Sequence, residues 1–453
     1  MLLSSKVTNW KSFRDETPFS MVATREEQHA ERLARIERLG VRALPVSALY
    51  GGNASGKSNF CEALRFARDL VVQGTQPDAP IPIQPFRLDD SSPTRPAEFV
   101  FEVVTADKCY EFGFAVTRKR VVREWLTELR KTTERALYRR DGDNVEFLDA
   151  SLRAAPFAAF VAQGTRSNQL VLKNFVDQND KRFLPLYRWF SESLLVVGPG
   201  EASLPVGKGT LSNDGTYDTL LSDALGRLDT SIDALGSEEV AAGAVALPSD
   251  VKVRAIEASG KAQRAIVVSP GGQWYTIIWK DKEPTWYKIG GLHQRSDGSE
   301  VLFDLADESD GTRRVIELLP VFLNASASSS AKVAVIDELD RSLHTLLTRR
   351  LLEGYLDSRQ PESRSQIIFT THDVQLMDQA LLRRDEMWVA ERGNGGATHL
   401  IPFSDYKDIR KDKDIRKSYL QGRLGGVPRI VQGGPLAPAS GGDDRGNSDG
   451  GPA

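Results

Sequence analysis

Cysteine is scarce: Cys61 and Cys109 are the only two in 453 residues, and they form no metal-like cluster. Two lone thiols fit a reducing cytoplasm, the expected location. Histidine is scarce too. His29, His293, His344, His372 and His399 are scattered, which argues against a metal centre built from imidazoles. Apolar runs long enough to span a bilayer (about 18 residues) are lacking, so no membrane partner is expected. The first residues show no basic region followed by an apolar stretch, so no secretory signal is read. Net charge is lacking as well. The 59 Lys+Arg against 62 Asp+Glu leave −3, too near neutrality for a protein that coats nucleic acid through its overall field.

What is present is ordinary globular composition, 40% apolar and 27% charged. At roughly 150 residues per domain the length suggests about three compact units. Lys6–Trp10 is strand-like. The charged stretch Arg25–Arg38 carries Leu33, Ile36 and Leu39 at helical spacing. From Phe99 to about Leu148 the pattern alternates with period two and predicts an antiparallel meander. Residues 155–250 read as mainly helical, most clearly at Leu221, Leu225, Leu228, Ile232 and Leu235, closed by Gly236. That seam is too short for a coiled-coil arm. Strand-like patterning returns between Ala265 and Ile289, and helix and strand alternate from Leu302 onward. Gly434–Ala453 is rich in Gly, Pro, Ser and Asp and is expected to be disordered.

The sharpest signal is Gly51-Gly52-Asn53-Ala54-Ser55-Gly56-Lys57-Ser58, a complete P-loop pattern. The buried strand Val46–Tyr50 precedes it, and Asn59–Val72 follows with helical periodicity. Glycines let backbone N–H groups turn inward around phosphate oxygens, and the helix N-terminus adds partial positive charge. Lys57 can reach the β- and γ-phosphates, and the Ser58 hydroxyl can ligate Mg²⁺. Asn59 closes the same segment.

A second segment, Lys332-Val-Ala-Val-Ile-Asp337-Glu338, is an apolar strand ending in two carboxylates. Asp337 suits Mg²⁺, and Glu338 can orient or deprotonate an attacking water. A third apolar strand, Gln366-Ile-Ile-Phe-Thr-Thr, ends in His372 and Asp373. At the C-terminal end of a parallel strand, where α/β ligands bind, His372 reads as functional.

Together these residues resemble an ABC-type ATPase of the SMC/RecF-like branch. The resemblance rests on the P-loop, on Asp337-Glu338 followed by Leu339-Asp340 (the D-loop), and on His372 (the switch histidine). It calls for a signature loop, for which Glu308-Ser309-Asp310-Gly311-Thr312 stands before a helical stretch; only Ser309 and Gly311 correspond to the transporter form. A plain helix N-cap is the other reading of Ser309. It also calls for a Q-loop glutamine at the metal, for which Gln84 is the nearest candidate. Asn9-Trp-Lys-Ser-Phe13 resembles the Asn-Phe-Arg-Ser-Phe start common to these ATPases, while the Asn53–Ser58 variant, the Glu308–Thr312 signature and the late Arg416–Pro428 segment are similar to RloA/AbiL-type proteins of abortive-infection and restriction-linked operons.

The resemblance implies an α/β P-loop fold of ABC-type head architecture, with an antiparallel β lobe and a mainly helical insertion. The expected parts are 1–120, lobe I; 121–300, an inserted β/helical region; 301–430, lobe II; and 431–453, a disordered tail. It further implies ATP and Mg²⁺ as ligands and a head-to-head homodimer with ATP sandwiched against the partner's Ser309 loop. The expected function is that of an ATP-gated switch in anti-phage defence, controlling a separately encoded Toprim- or nuclease-like effector. An ATPase acting directly on DNA in repair or recombination is the alternative. Nucleic acid stays open as a partner because Arg118–Arg140 holds nine basic and three acidic residues. The bland reading of that stretch is the outward face of a sheet.

Overall fold

The period-two segments form sheets in the computed structural model, which describes residues 1–105, 108–199, 223–228, 232–262, 264–327, 329–406, 415–421 and 426. In chain order the first strands are β1 (Leu2–Thr8), β2 (Thr17–Ser20), β3 (Ala34–Ile36), β4 (Val41–Ala43) and β5 (Val46–Tyr50). Then follow β6 (Ala97–Val104), β7 (Cys109–Val116), β8 (Val121–Leu129), β9 (Glu134–Asp141), β10 (Asn144–Phe147) and β11 (Leu194–Val197). The later strands are β12 (Ala234–Val240), β13 (Arg264–Val268), β14 (Trp274–Lys280), β15 (Glu283–Gln294) and β16 (Glu300–Asp304). Last come β17 (Val333–Ile336), β18 (Gln366–Thr370), β19 (Met387–Arg392) and β20 (Thr398–Pro402).

Seven strands, in the order β10-β9-β8-β7-β6-β1-β2, make the antiparallel lobe. Phe99 faces Phe114 and Phe101 faces Phe112 across β6 and β7, and all four rings are buried. The helix Lys57–Val72 lays Phe60, Leu64, Ala67 and Val71 into the same core.

The second sheet has the order β11-β17-β18-β5-β19-β20. Its first five strands run parallel, and β20 closes the edge antiparallel to β19. Both faces are covered, so its strands read as continuous apolar runs. Leu49, Val333, Val335 and Ile368 enter the core shared with the antiparallel lobe. Val46, Ala48, Ala334, Ile336, Ile367 and Phe369 enter the opposite core, beside the helices Asp310–Ser326 and Thr345–Asp357. The order brings β18 between β5 and β17, so the segments ending in Gly51, His372 and Asp337 meet at one sheet edge.

Three details depart from the sequence reading. The antiparallel sheet continues through β10, so residue 120 falls inside it, and β11 joins the parallel sheet although it lies within 121–300. Leu235 and Gly236 sit in β12, opposite Gly291 and Gly290, not in a helix closed by Gly236. A Cβ at Gly236 would stand 2.8 Å from Leu302 and 2.9 Å from Leu292, so close sheet packing explains this glycine. Leu221 lies outside the described residues. Leu33 and Ile36 are buried, Leu33 at the end of a short 3₁₀ turn and Ile36 in β3, which pairs antiparallel with β4, so this stretch is not a helix. The expected tail, 434–453, also lies outside the described residues. Among the described residues no helix is long and apolar enough to cross a membrane.

Candidate functional site

The P-loop leaves β5 at Gly51 and enters the helix at Lys57. Gly56 holds φ at +105°, and a Cβ there would overlap Thr398 Oγ1. Thr398 braces the loop, with Oγ1 donating to the Ser55 carbonyl at 2.8 Å and its N–H donating to the Ser12 carbonyl at 2.7 Å. On the other flank the Asn59 side chain donates to Ser12 Oγ at 2.8 Å, and Trp10 Nε1 donates to the Asn59 carbonyl. Asn53 and Ala54 stand exposed at the loop tip. The Asn9–Phe13 segment is therefore a support for the loop.

Lys57 is 5% exposed, and its Nζ donates to the Gly51 and Gly52 carbonyls at 2.8 and 3.1 Å. Burial brings its pKa down to about 8, against the pull of Asp337, Asp340 and Glu338. His372, at the exposed end of β18, is likewise lowered, first by burial and then by Lys57. One lysine, three carboxylates and one imidazole thus share one electrostatic neighbourhood.

Thr370 organises the carboxylates. Its hydroxyl donates to Asp337 Oδ1 at 2.6 Å and accepts the Glu338 N–H at 2.8 Å. The Thr370 carbonyl takes the Leu339 N–H at 3.0 Å. Glu338 holds φ at +51°, a left-handed conformation that costs a non-glycine residue of order 1–3 kcal/mol. It persists because neighbours over-determine it. Arg314, 3% exposed, donates through Nη2 to the Asp337 and Glu338 carbonyls at 3.2 Å each. Asp340 accepts the His372 N–H at 3.3 Å, linking the turn after β17 to the end of β18.

Ser309 caps the helix Asp310–Ser326, accepting the Thr312 N–H at 3.1 Å. A Cβ at Gly311 would lie 2.9 Å from the Ser342 carbonyl, so this loop packs against the turn that follows Asp340. Gln84 lines two cavities. One, of about 570 Å³, includes Ser12, Gly56, Ser58 and Asn59; the other, of about 310 Å³, includes Cys61 and Asp337.

Five of the nine basic residues in Arg118–Arg140 are engaged by carboxylates or the core. Arg120 pairs with Asp143, Arg123 with Glu98, Arg130 with Glu128 and Arg135 with Asp149. Arg140 is 1% exposed and donates to the Gly142, Gln169 and Arg166 carbonyls, so it is a core group.

The family described as "AAA domain, putative AbiEii toxin, Type IV TA system" matches residues 46–378, from β5 past His372. The chain belongs to this AAA family. No curated protein matches it. Two solved structures are similar to this AAA protein. One is an SMC head domain from Thermotoga maritima, at 15% identity and a TM-score of 0.35, covering 88% of this chain and 98% of that one. The other is an SMC head bound to the C-winged helix domain of ScpA, at 13% identity and a TM-score of 0.40, covering 88% and 97%. The fold is an α/β P-loop sheet with an antiparallel lobe, the arrangement expected of an ABC-type head.

Sequence reasoning missed Arg314, Thr370 and Thr398. Thr370 carried a signal, a hydroxyl at the C-terminal end of the strand next to Asp337. Arg314 offered one too, an arginine on the apolar face of the Asp310–Ser326 helix. Thr398 offered none.

Proposed function

We propose that this AAA-family protein binds and hydrolyses ATP with Mg²⁺, and that nucleotide-driven dimerisation lets it control a separately encoded effector in anti-phage defence. The observation that carries the ATPase reading is the convergence of Lys57 with Asp337, Glu338 and His372 at the edge where β5, β17 and β18 end together. The loop suits phosphate: Gly51 and Gly56 shape a cradle, and Ser55 Oγ is buried without a hydrogen-bond partner. Residues Gly51 to Asn59 would hold the nucleotide. Ser58 and Asp337, with Gln84 beside both, would hold Mg²⁺, which neutralises phosphate charge when bound. Glu338, fixed by Thr370 and Arg314, orients and deprotonates water. His372 and Asp340 form the adjoining wall, and Ser309 and Gly311 face the nucleotide of a second copy.

The family description, with its toxin and type IV toxin–antitoxin terms, supports the defence setting. Direct action on DNA draws less support, because five of the nine basic residues in Arg118–Arg140 are engaged by carboxylates or the core. Calorimetric titration with ATP and Mg²⁺ tests the nucleotide reading: Lys57→Ala should abolish binding, and unchanged affinity would overturn it. Plaque assays in cells carrying the protein and its neighbouring gene test the defence role. Protection should vanish with Lys57→Ala, and protection that persists rejects ATP gating.

A further inference from the structure

The late segment around Arg416 has no part in the site as described so far, yet the chain returns there to the P-loop. Gly52 N–H donates to the Gly426 carbonyl at 2.7 Å. Tyr419 Oη donates to the same carbonyl at 3.1 Å. Gly52 is also tied on its other side, since its own carbonyl accepts Lys57 Nζ at 3.1 Å and the Ser55 N–H at 3.3 Å. The two peptide groups flanking Gly52 thus run from the C-terminal segment to the phosphate lysine.

The contact is built. Tyr419 is 5% exposed, and its ring lies edge-on to Phe403 in the core beneath β5 and β19. Ile415 is buried in the same cluster, so the helix Ile415–Leu420 is anchored by its own apolar face. Gly426 adopts φ +68°, and a Cβ there would stand 2.5 Å from Val389 Cγ1 on β19. Only glycine brings its carbonyl to Gly52 without moving β19. Gly51 is constrained by the same strand, where a Cβ would lie 2.6 Å from the Ala390 carbonyl.

We infer that Tyr419 and Gly426 are positioning residues for the nucleotide site. They hold the Gly51–Gly52 turn, and through it Lys57, in the geometry that receives phosphate. This rests on the ATPase reading above. A loop that must be ordered on binding costs affinity, and a brace that orders it beforehand removes that cost. Asp337 and Glu338 follow β17 and are held separately, by Thr370 and Arg314. The brace therefore sets affinity for ATP and leaves turnover at saturation alone.

The test uses the full chain. Tyr419→Phe keeps the buried ring and deletes one donor; it should weaken ATP binding and raise KM about fivefold, the factor one ordinary hydrogen bond gives, with kcat unchanged. Gly426→Val should weaken binding further. In both variants the peptide spanning Gly51–Ser58 should exchange amide hydrogen faster without nucleotide, while peptides from β17 and β18 keep their protection. Unchanged affinity and unchanged P-loop exchange in Tyr419→Phe and Gly426→Val would overturn the inference. So would a fall in kcat at constant KM. Wild-type protein that fails to bind ATP would overturn the ATPase reading instead, and P-loop exchange would still report whether the brace exists.

Discussion

Thr370 and Asp337 are joined by a buried hydrogen bond: the threonine hydroxyl donates to Asp337 Oδ1 at 2.6 Å while accepting the Glu338 N–H at 2.8 Å. One side chain on β18 thereby sets both carboxylates at the end of β17. Thr370→Val keeps the shape and removes the hydroxyl. It should lower kcat at least tenfold while ATP still binds, because Glu338 loses its anchor. Leaving Asp337 and the Glu338 N–H unpaired should also cost about 1–3 kcal/mol of stability. Steady-state kinetics and urea melts check the two effects separately.

Glu338→Gln should preserve ATP affinity and reduce hydrolysis by two or more orders of magnitude, about what a positioned base contributes. The carbonyl contact with Arg314 and the N–H contact with Thr370 involve backbone, so the amide variant keeps the left-handed turn. Wild-type turnover in a phosphate-release assay would move the base elsewhere.

Ser309→Arg should block ATP-dependent association. The bulky cation replaces a hydroxyl that caps a 17-residue helix, and the lost cap alone costs about 1 kcal/mol. Light scattering of the Glu338→Gln background with ATP should show dimers, and the double variant should stay monomeric. An ATP-bound dimer in the double variant would contradict the trans role.

Glu386 gives a pH signature away from the site. It is buried beside Arg32 and Arg383, and burial raises its pKa from 4.5 to about 7. The folded state therefore binds more protons than the unfolded state between those values, and stability falls as pH rises through the window. Above about pH 7 the loss is complete and constant. Glu386→Gln removes this slope, so the variant should gain on wild type by a few kcal/mol between pH 4.5 and 7. Urea melts at pH 4.5, 6 and 8 measure the difference.

The P-loop, Asp337-Glu338 and His372 were legible because each is a contiguous segment whose strand announces itself by apolar runs. The order of those strands was not, since β18 reaches its place between β5 and β17 only through register with both. Arg314, Thr370 and Thr398 act through contacts 23, 33 and 343 residues away, and no local pattern encodes a partner at such distance. The leucine seam misled for a related reason. Leu235 satisfies helical spacing, but its pairing with Gly291 on β15 decides its conformation.

Thr398 reaching Ser55 has a consequence for how the protein is made. The P-loop is synthesised before the strands flanking β5 and before the brace from β20. Until those strands are made, the nascent chain carries the P-loop segment without its folded surroundings. Such non-local closure is slow to form. Fragments ending before β18 should consequently fail to retain ATP, because the P-loop segment alone does not make the site.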